Sequence, residues 1–328
     1  MTLKNKMMSL ILVGVVGISL LTACSKNSNT DIKTIGITQL VEHPSLDKAR
    51  NGFIKSLEDK GYKDGENIKI DYQNAQNDML TTQTIANKFV SDKKDLIYAV
   101  STPSAQAAYN STKDIPILIT AVTDPVAAGL VKSLDKPEGN LSGTSDYISI
   151  YKNLELIKTL VPKAKTIGVL YSTSEVNSKI QVEMLKKYAS KNNYKVVEKG
   201  ISSSNEINQA ISSLSKNIDV LYVPTDNLIV SSMPIVSKIA TYNKIPVIAS
   251  EDGSVKSGAL ACQGIDYEKL GYKTGEIAVK VLNGEKVSNI PISTLDDTQI
   301  IINEDVLNLL SMKKPNDKDI VYIKSEKN

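Results

Sequence analysis

Side chains that could catalyse a reaction or bind a metal are scarce in this chain of 328 residues. It has one histidine, His43, and two cysteines, Cys24 and Cys262. A zinc site needs several Cys or His ligands at short spacings, and a serine hydrolase needs a base beside its nucleophile. His43 stands before Pro44 in a predicted loop with neither arrangement around it, and no glycine-rich phosphate-binding motif occurs. The sequence therefore predicts a protein that is not an enzyme and has no cofactor and no metal.

Short polar side chains are instead concentrated where predicted strands end. Each of them alone could be a helix cap or a turn residue. Ligands of open parallel sheets, however, bind beyond the carboxyl ends of the strands. We therefore predict that these residues form a ligand site, to which the loop of His43 could also contribute. The candidates are Gln39, Ser101, Thr102, Ser104, Thr123 and Asp124 in the first half of the chain, Asn177, Ser178, Thr225, Asp226, Asn227 and Glu251 in the second, and Asp146 between the halves.

The charges at these strand ends suit a zwitterion. Ser101, Thr102 and Ser104 surround a predicted helix start, where free N–H groups and the helix dipole favour a carboxylate. Asp124 and Asp146 could each accept hydrogen bonds from an ammonium group. The residue types leave open which of the two aspartates does so.

The N-terminus predicts export and lipidation. Two lysines precede an apolar run, residues 8–21, which is shorter than the roughly 20 residues that span a bilayer. The run ends in Leu-Thr-Ala-Cys, a lipobox, so we predict a cleaved signal peptide (1–23), acylation of Cys24 and a polar lipidated tether (24–31). This would hold a monomer on the extracellular face of the cell membrane. Cys262, in an apolar stretch, is predicted to be a buried thiol, and the net charge of +3 without lysine clusters gives no indication of nucleic-acid binding.

The elements that position these residues occur twice. Lys-Thr-Ile-Gly opens a strand at residue 33 and again at residue 165, and each strand is followed by a helix that ends near a tyrosine, Tyr62 or Tyr194. A second strand, a second helix, a strand beginning with Asp95 or Asp219, and an Ile-Pro strand then follow in both halves. Strands alternating with helices predict an α/β protein with two doubly wound parallel-sheet lobes.

The predicted lobes are discontinuous in sequence. We expect the chain to pass between them near residues 145, 260 and 290, which makes a hinge of three connecting strands. The predicted N-terminal lobe contains residues 32–145 and 260–290, with the strand GALACQG at its return, and the C-terminal lobe contains 146–259 and 291–328.

Several stretches make the chain resemble a known family. They are AVTDPVAAGLV (121–131), GNLSGTSD (139–146), AKTIGVLYSTSEVNS (164–178), VLYVPTDN (220–227) and GALACQGIDYEKLGYKTGEIA (258–278). They resemble the ABC-transporter substrate-binding proteins of the aromatic amino acid type, and the whole chain is similar to clostridial tyrosine-binding surface lipoproteins. In the SEVNS loop, Val176 stands where relatives are expected to have a proline.

The resemblance implies the type I periplasmic-binding-protein fold and an extracytoplasmic solute-binding lipoprotein of an ABC importer. Hinge closure would capture an aromatic amino acid, tyrosine being favoured, for a membrane permease and its ATPase. Three alternatives stay open: a surface adhesin, a ligand-sensing receptor lipoprotein, and a sugar-binding protein of the same fold. The chain has no tryptophan and only two phenylalanines on which a sugar ring could stack, so we rank sugars below amino acids.

Overall fold

Two β-sheets form the framework of residues 32–325, the part of the chain that the computed structural model describes. The strands of the first sheet are β1 (Lys33–Gln39), β2 (Ile68–Asn74), β3 (Leu96–Val100), β4 (Ile117–Thr120) and β5 (Leu141–Gly143). They lie in the order β2-β1-β3-β4-β5, and every neighbouring pair is parallel.

The second sheet contains seven strands. They are β6 (Thr166–Ser172), β7 (Lys195–Ile201), β8 (Val220–Val223), β9 (Val247–Ala249), β10 (Ala261–Gly264), β11 (Gln299–Asn303) and β12 (Ile320–Ile323). Their order is β12-β11-β10-β9-β8-β6-β7, and within this sheet only the β10–β11 pair is antiparallel.

The helices connect these strands. They are α1 (Pro44–Asp59), α2 (Met79–Ser91), α3 (Thr102–Ser111), α4 (Ile150–Leu160), α5 (Val176–Lys191), α6 (Ile207–Leu214), α7 (Asn227–Ser231), α8 (Met233–Tyr242), α9 (Asp252–Lys256), α10 (Tyr267–Leu282) and α11 (Glu304–Leu309). We call β1–β5 with α1–α3 and α10 the first lobe, and β6–β12 with α4–α9 and α11 the second lobe. The starts of α2, α7 and α10 are capped by the aspartates before them, Asp78, Asp226 and Asp266, whose carboxylates accept from main-chain N–H groups.

The internal repeat is confirmed by the strand order. The first four strands of each lobe lie in the same sequence, β2-β1-β3-β4 and β7-β6-β8-β9, with parallel pairing throughout. The middle strands β3, β4, β8 and β9 are fully buried, as expected for sheets covered on both faces. The predicted α/β architecture of two doubly wound lobes is therefore confirmed.

Helices α1 and α10 pack closely against each other on the first sheet. A Cβ atom at Gly271 would lie 1.8 Å from the Ala49 carbonyl oxygen, and one at Gly52 would lie 2.1 Å from that of Glu268. These glycines therefore allow the two backbones to touch. The contact continues into the core through Phe53, which stacks on Tyr98 with ring centroids 3.8 Å apart.

The second crossing between the lobes differs from the prediction. Strand β10, in the GALACQG stretch, pairs with β9 and β11, so placing this strand in the first lobe was wrong. Ala261, Cys262 and Gly264 of this strand are buried, which suits the interior of either sheet, and the sequence pattern alone did not distinguish the two. The chain passes back to the first lobe between Gly264 and Tyr267, where α10 begins. On the third passage Ser293 still forms a bridge with Thr144, before β11 begins at Gln299.

Some predictions concern residues outside the described part. The signal peptide (1–23), the lipidation site Cys24 and the tether (24–31) lie there. No helix within residues 32–325 is both long enough and apolar enough to cross a membrane.

Candidate functional site

A small closed cavity lies between the two lobes, at the carboxyl ends of the strands. Its volume is about 20 Å³, which is room for roughly one water molecule. The first lobe contributes His43, Leu46, Ala121 and Thr123, the second contributes Asn177, Thr225, Asp226, Asn227, Val230 and Glu251, and the segments next to the crossings contribute Asp146 and Tyr267. We call this space the cleft cavity.

Glu175, directly before α5, organises the wall that the second lobe presents. Its carboxylate is buried and accepts from the side-chain amides of Asn177 (3.0 Å) and Asn227, and from the main-chain N–H groups of Asn227 (3.2 Å) and Leu228 (3.1 Å). The first turns of α5 and α7 are thereby joined. Burial raises the pKa of Glu175, and these hydrogen bonds partly oppose the rise.

Asp226 is the second buried carboxyl group of this wall. One oxygen accepts from the Ile229 N–H and caps α7, and the other accepts from the Ser172 N–H at 2.5 Å. Burial raises the pKa of Asp226 to about 8, and the neighbouring charge of Glu175 adds to the rise. The negative charge of Glu175 therefore favours a protonated Asp226 beside an ionised Glu175.

Glu251 is the third, at the start of α9. It accepts from the N–H groups of Gly253 (2.9 Å) and Ser254 (2.7 Å), from the Ser254 hydroxyl, and from the Ser45 hydroxyl of the first lobe. Burial raises the pKa of Glu251 to about 7. This side chain therefore connects the two lobes while it caps a helix.

Asp146 lies at the first crossing and is buried. One oxygen accepts from the Tyr267 hydroxyl at 2.7 Å, and the other, Oδ1, has no hydrogen-bond partner. Burial raises the pKa of Asp146, although the hydrogen bond from Tyr267 acts in the opposite direction. A buried acceptor without a partner is costly, which is typical of a position that meets a ligand.

His43 is neutral in this environment. Burial lowers the pKa of its imidazole to about 4, despite the opposing effects of Asn227 and Asp47. Its Nε2 lies 3.4 Å from Asn227 Oδ1, and its Nδ1 has no partner. The imidazole therefore brings hydrogen-bonding atoms to the cleft cavity but no positive charge.

No positively charged side chain lines the cleft cavity within residues 32–325. Three of its buried polar atoms lack partners: Asp146 Oδ1, Asn177 Oδ1 and His43 Nδ1. Groups of three or more His, Cys, Asp or Glu side chains suited to a metal ion are absent from the same range. The arrangement can accept hydrogen bonds from a cationic donor such as an ammonium group.

Four side-chain contacts join the lobes around the cavity. The Thr123 and Thr225 hydroxyls lie 2.9 Å apart, and Lys48 of α1 forms an ion pair with Asp252 of α9. The other two are Ser45 with Glu251 and His43 with Asn227. The lobes are therefore closed on each other in this structure.

Seven of the predicted site residues line the cleft cavity, and six lie elsewhere. Those that line it are Thr123, Asp146, Asn177, Thr225, Asp226, Asn227 and Glu251. Ser178 is buried, and its hydroxyl accepts from the Asn177 side-chain amide at 3.4 Å. Gln39 is engaged within its own lobe by Asp47, Arg50 and the Val41 carbonyl.

The remaining four predicted residues lie on two loops of the first lobe. Asp124 Oδ1 accepts from the N–H groups of Val126 and Ala127, so this carboxylate stabilises its own turn. Ser101, Thr102 and Ser104 lie at the start of α3, beside the β4 end that leads into the cavity-lining Ala121. Ser101 has φ +91°, and Thr102 Oγ1 is buried without a partner.

Two functional candidates escaped the sequence-based prediction. Tyr267 begins the returning helix α10, and Glu175 does not itself line the cavity. Nothing in the spacing of residues indicates that a tyrosine far along the chain meets Asp146. Glu175 lies in the SEVNS loop, two residues before Asn177, and its carboxylate holds the Asn177 side-chain amide by a hydrogen bond.

The family profile described as ABC transporter substrate binding protein matches residues 34–318. This chain belongs to that family. It is 72% identical to the tyrosine-binding protein of Clostridioides difficile (strain R20291), over 99% of this chain and 98% of that protein.

Two solved structures of relatives are informative. One is the ligand-free, open structure of a substrate-binding protein with adhesive properties from Clostridium difficile, which is 72% identical, with a TM-score of 0.69 over 90% of this chain and 100% of that chain. The other is a Streptococcus pneumonia domain in complex with L-Trp, 39% identical, with a TM-score of 0.84 over 87% and 96%. These similarities are those expected of the type I periplasmic-binding fold.

Proposed function

We propose that this protein captures an aromatic amino acid, with tyrosine favoured, between its lobes and presents it to the permease and ATPase of an ABC importer, without catalysis. The observation that carries the proposal is the character of the cleft cavity. Four carboxyl groups, those of Asp146, Glu175, Asp226 and Glu251, are buried in or behind its wall without a cationic partner among the described residues. Such a wall is suited to a ligand that brings its own positive charge.

The ammonium group is the first part of the ligand that the cavity fits. An ammonium has three N–H donors, and three unpartnered atoms belong to residues of the same cavity: Asp146 Oδ1, Asn177 Oδ1 and His43 Nδ1. Of the two aspartates that the sequence offered, Asp146 is the better candidate, since Asp124 already accepts from two N–H groups of its own turn.

The start of α3 remains our candidate for the ligand carboxylate. Thr102 Oγ1 is buried without a partner there, and a ten-residue helix directs its N-terminal N–H groups and partial positive charge outward. Because Val100 of β3 pairs with Thr120 of β4, this helix start lies beside the loop that supplies Ala121 and Thr123 to the cavity.

Relatives support both the ligand class and the closing movement. The fold superposes better on the 39% identical L-Trp complex than on the 72% identical open structure, although identity alone predicts the reverse. A different angle between two rigid lobes accounts for this order. The cavity of about 20 Å³ is also far too small for an amino acid, so the lobes must open to admit one.

The test is calorimetric titration of the delipidated protein with the twenty amino acids, combined with small-angle scattering. We expect tyrosine, phenylalanine or tryptophan to bind in preference to the others and to reduce the radius of gyration. Equal binding of aliphatic amino acids would contradict the ligand class. An unchanged radius of gyration at saturation would contradict hinge closure.

The proposed location is the outer face of the cell membrane, where the monomer is held by acyl chains on Cys24. The lipobox in the sequence supports this, and two or three acyl chains hold a protein far more firmly than one. In a fractionation experiment, Cys24→Ala should leave the membrane fraction or remain unprocessed. Normal processing with full membrane retention would exclude the lipid anchor.

A second role in adhesion is favoured by one observation, the 72% identical relative with adhesive properties. Attachment would use the outer surface and not the closed cavity. An Asp146→Asn variant should therefore adhere to host cells as well as the parent protein while it loses ligand. Loss of both properties together would argue against an independent adhesive surface.

A further inference from the structure

We propose that Glu175 is a positioning residue that sets the hydrogen-bond polarity of the cleft, so that the second lobe presents acceptors and selects ligands with an ammonium group. The claim about ligand selectivity rests on the proposed function. The claim about which hydrogen-bonding groups face the cleft does not. Glu175 lies behind the cavity wall and would act through three residues that line it, Asn177, Asn227 and His43.

The first step is the orientation of Asn177. Its Nδ2 donates to Glu175 Oε2 at 3.0 Å and to the Thr225 carbonyl oxygen at 2.7 Å. A side-chain amide has two N–H donors, and both are used by these acceptors. The carbonyl Oδ1 is therefore the group left over, and it is buried without a partner.

The second step is the orientation of Asn227. Its Nδ2 also donates to Glu175, and its main-chain N–H donates to the same carboxylate oxygen at 3.2 Å. A carboxylate is an acceptor only, so each asparagine directs its Nδ2 towards Glu175 and its Oδ1 away from that carboxylate. Asn227 Oδ1 then faces His43 Nε2 across the lobe boundary, at 3.4 Å.

The third step is the effect of Asn227 on the tautomer of His43. An oxygen opposite Nε2 favours the tautomer with its proton on Nε2, which leaves a lone pair on Nδ1. Nδ1 is buried without a partner. One carboxylate thus accounts for two of the three unpartnered acceptors, Asn177 Oδ1 and His43 Nδ1, and Asp146 supplies the third.

A glutamine in place of Glu175 changes the hydrogen-bonding groups at this position but hardly changes the shape of the side chain. It offers one acceptor oxygen and two N–H donors. If its oxygen replaces Oε2, which accepts from both asparagines, its NH2 group meets the Leu228 N–H; if its oxygen replaces Oε1 and accepts from Leu228, its NH2 group meets the two asparagine amides. The arrangement that satisfies it turns the amide of Asn177 or Asn227, which presents N–H groups where the parent protein presents oxygen. An ammonium ligand would then meet donors.

The only histidine of the chain provides a direct readout. Protein prepared without a histidine tag and labelled with ¹⁵N in histidine gives the signals of His43 alone, and nitrogen–proton couplings distinguish the two tautomers. In ligand-free parent protein at neutral pH we expect the proton on Nε2. In Glu175→Gln we expect a shift towards the Nδ1 tautomer.

Ligand selectivity is the second readout. The parent protein and Glu175→Gln are titrated with tyrosine and with 3-(4-hydroxyphenyl)propanoate, which lacks the ammonium group. We expect the preference for tyrosine to fall at least tenfold in the variant. The matched control is Asp219→Asn, because Asp219 also accepts from two main-chain N–H groups of the second lobe, those of Lys165 and Thr166, away from the cavity. It should keep the parent tautomer and preference.

Each outcome decides a separate point. A proton on Nδ1 in the parent protein would overturn the polarity argument without any variant, even if Glu175→Gln failed to fold. A variant that folds and keeps the parent tautomer would overturn it as well, and an unchanged tyrosine preference would overturn the selectivity role. If the tautomer changes but the parent protein does not bind tyrosine, the polarity argument holds and the proposed function fails.

Discussion

The carboxylates of the first sheet and those of the cleft differ in what neutralises them. Asp71 on β2 forms ion pairs with Lys88 at 3.0 Å and Lys94 at 2.8 Å. Burial alone would raise its pKa, but hydrogen bonds from Lys94, Gln73 and Lys88 outweigh burial and hold the pKa well below its usual range. In the cleft, burial raises the pKa of Asp226 to about 8 and that of Glu251 to about 7, and neither forms an ion pair among the described residues.

A carboxylate with a structural role is neutralised by lysines of the protein, whereas the carboxyl groups of the cleft have no cationic partner among the described residues. Burying an acid without a cation is costly, and the protein meets part of that cost with main-chain N–H groups at helix starts. Asp226 and Glu251 are each held in this way. Their wall also contains unpartnered acceptors, whereas Asp71 is fully engaged by lysines and by Gln73. Perturbed pKa values that persist in a closed cleft are typical of binding sites.

The largest expected effect is that of Asp146→Asn on tyrosine affinity. If Asp146 Oδ1 accepts from the ligand ammonium, removal of its charge costs about 2 to 5 kcal/mol, or roughly 30-fold to several thousandfold in Kd. Calorimetry measures this loss directly. The comparison variant is Asp124→Asn, because Asp124 caps its own turn and does not line the cavity. Its affinity should stay within about threefold, with a loss of stability of ~1 kcal/mol.

Equal losses in Asp146→Asn and Asp124→Asn would show that the ammonium is not held where we place it. A loss confined to Asp124→Asn would transfer the role to the turn after β4.

The second prediction concerns how stability depends on pH. Because the pKa of Asp226 is raised in the folded protein, the stability linked to its protonation is complete below the unfolded pKa and is lost as pH rises towards about 8. The melting temperature of ligand-free protein should therefore fall by several degrees between about pH 6.5 and about pH 8.5. This window lies above the range in which His43 changes protonation, between its folded pKa of about 4 and its usual value of 6.5.

In a series of thermal melts, Asp226→Asn should flatten that fall above about pH 7, where Glu251, whose pKa is raised to about 7, no longer contributes to the slope. Asp71→Asn is the counterpart from the first lobe. Its lowered pKa gives stability that is present at neutral pH and lost only in acid, so the slope above pH 6.5 should be unchanged. If both variants kept the parent slope, the raised pKa of Asp226 would be wrong.

The smallest expected effect is that of the ion pair that joins the lobes. Lys48 is half-buried, Asp252 is buried and the two come from opposite lobes, so their contact exists only when the lobes are closed. Lys48→Met should weaken tyrosine binding about two- to fivefold, in keeping with the modest strength of such pairs. Lys55→Met, on the same helix, removes an exposed pair with Glu268 inside the first lobe and should leave Kd unchanged. An effect of the same size in both would exclude a closing role for Lys48.

The fold could be predicted further than the site. Strand order follows from a repeated alternation of strands and helices, and the hydrophobic pattern shows this alternation locally. The placement of β10 failed because a buried apolar strand fits either sheet. Within the site, sequence could not separate Asp146 from Asp124, since only the folded chain shows which carboxylate caps a turn and which keeps a free oxygen. Glu175 was missed because it acts through neighbours, and the pairing of Asp146 with Tyr267 joins residues far apart in the chain.

The account depends most on one claim, that the ammonium of the ligand supplies the positive charge that the cleft lacks. Titration of the parent protein with tyrosine and with 3-(4-hydroxyphenyl)propanoate tests it directly, because the two ligands share the ring and the carboxylate. We predict that the compound without the ammonium binds at least roughly 30-fold more weakly, as expected for an unmatched buried charge. Binding of the two within about threefold of each other would contradict the claim, and the cleft would then recognise the ring and the carboxylate alone.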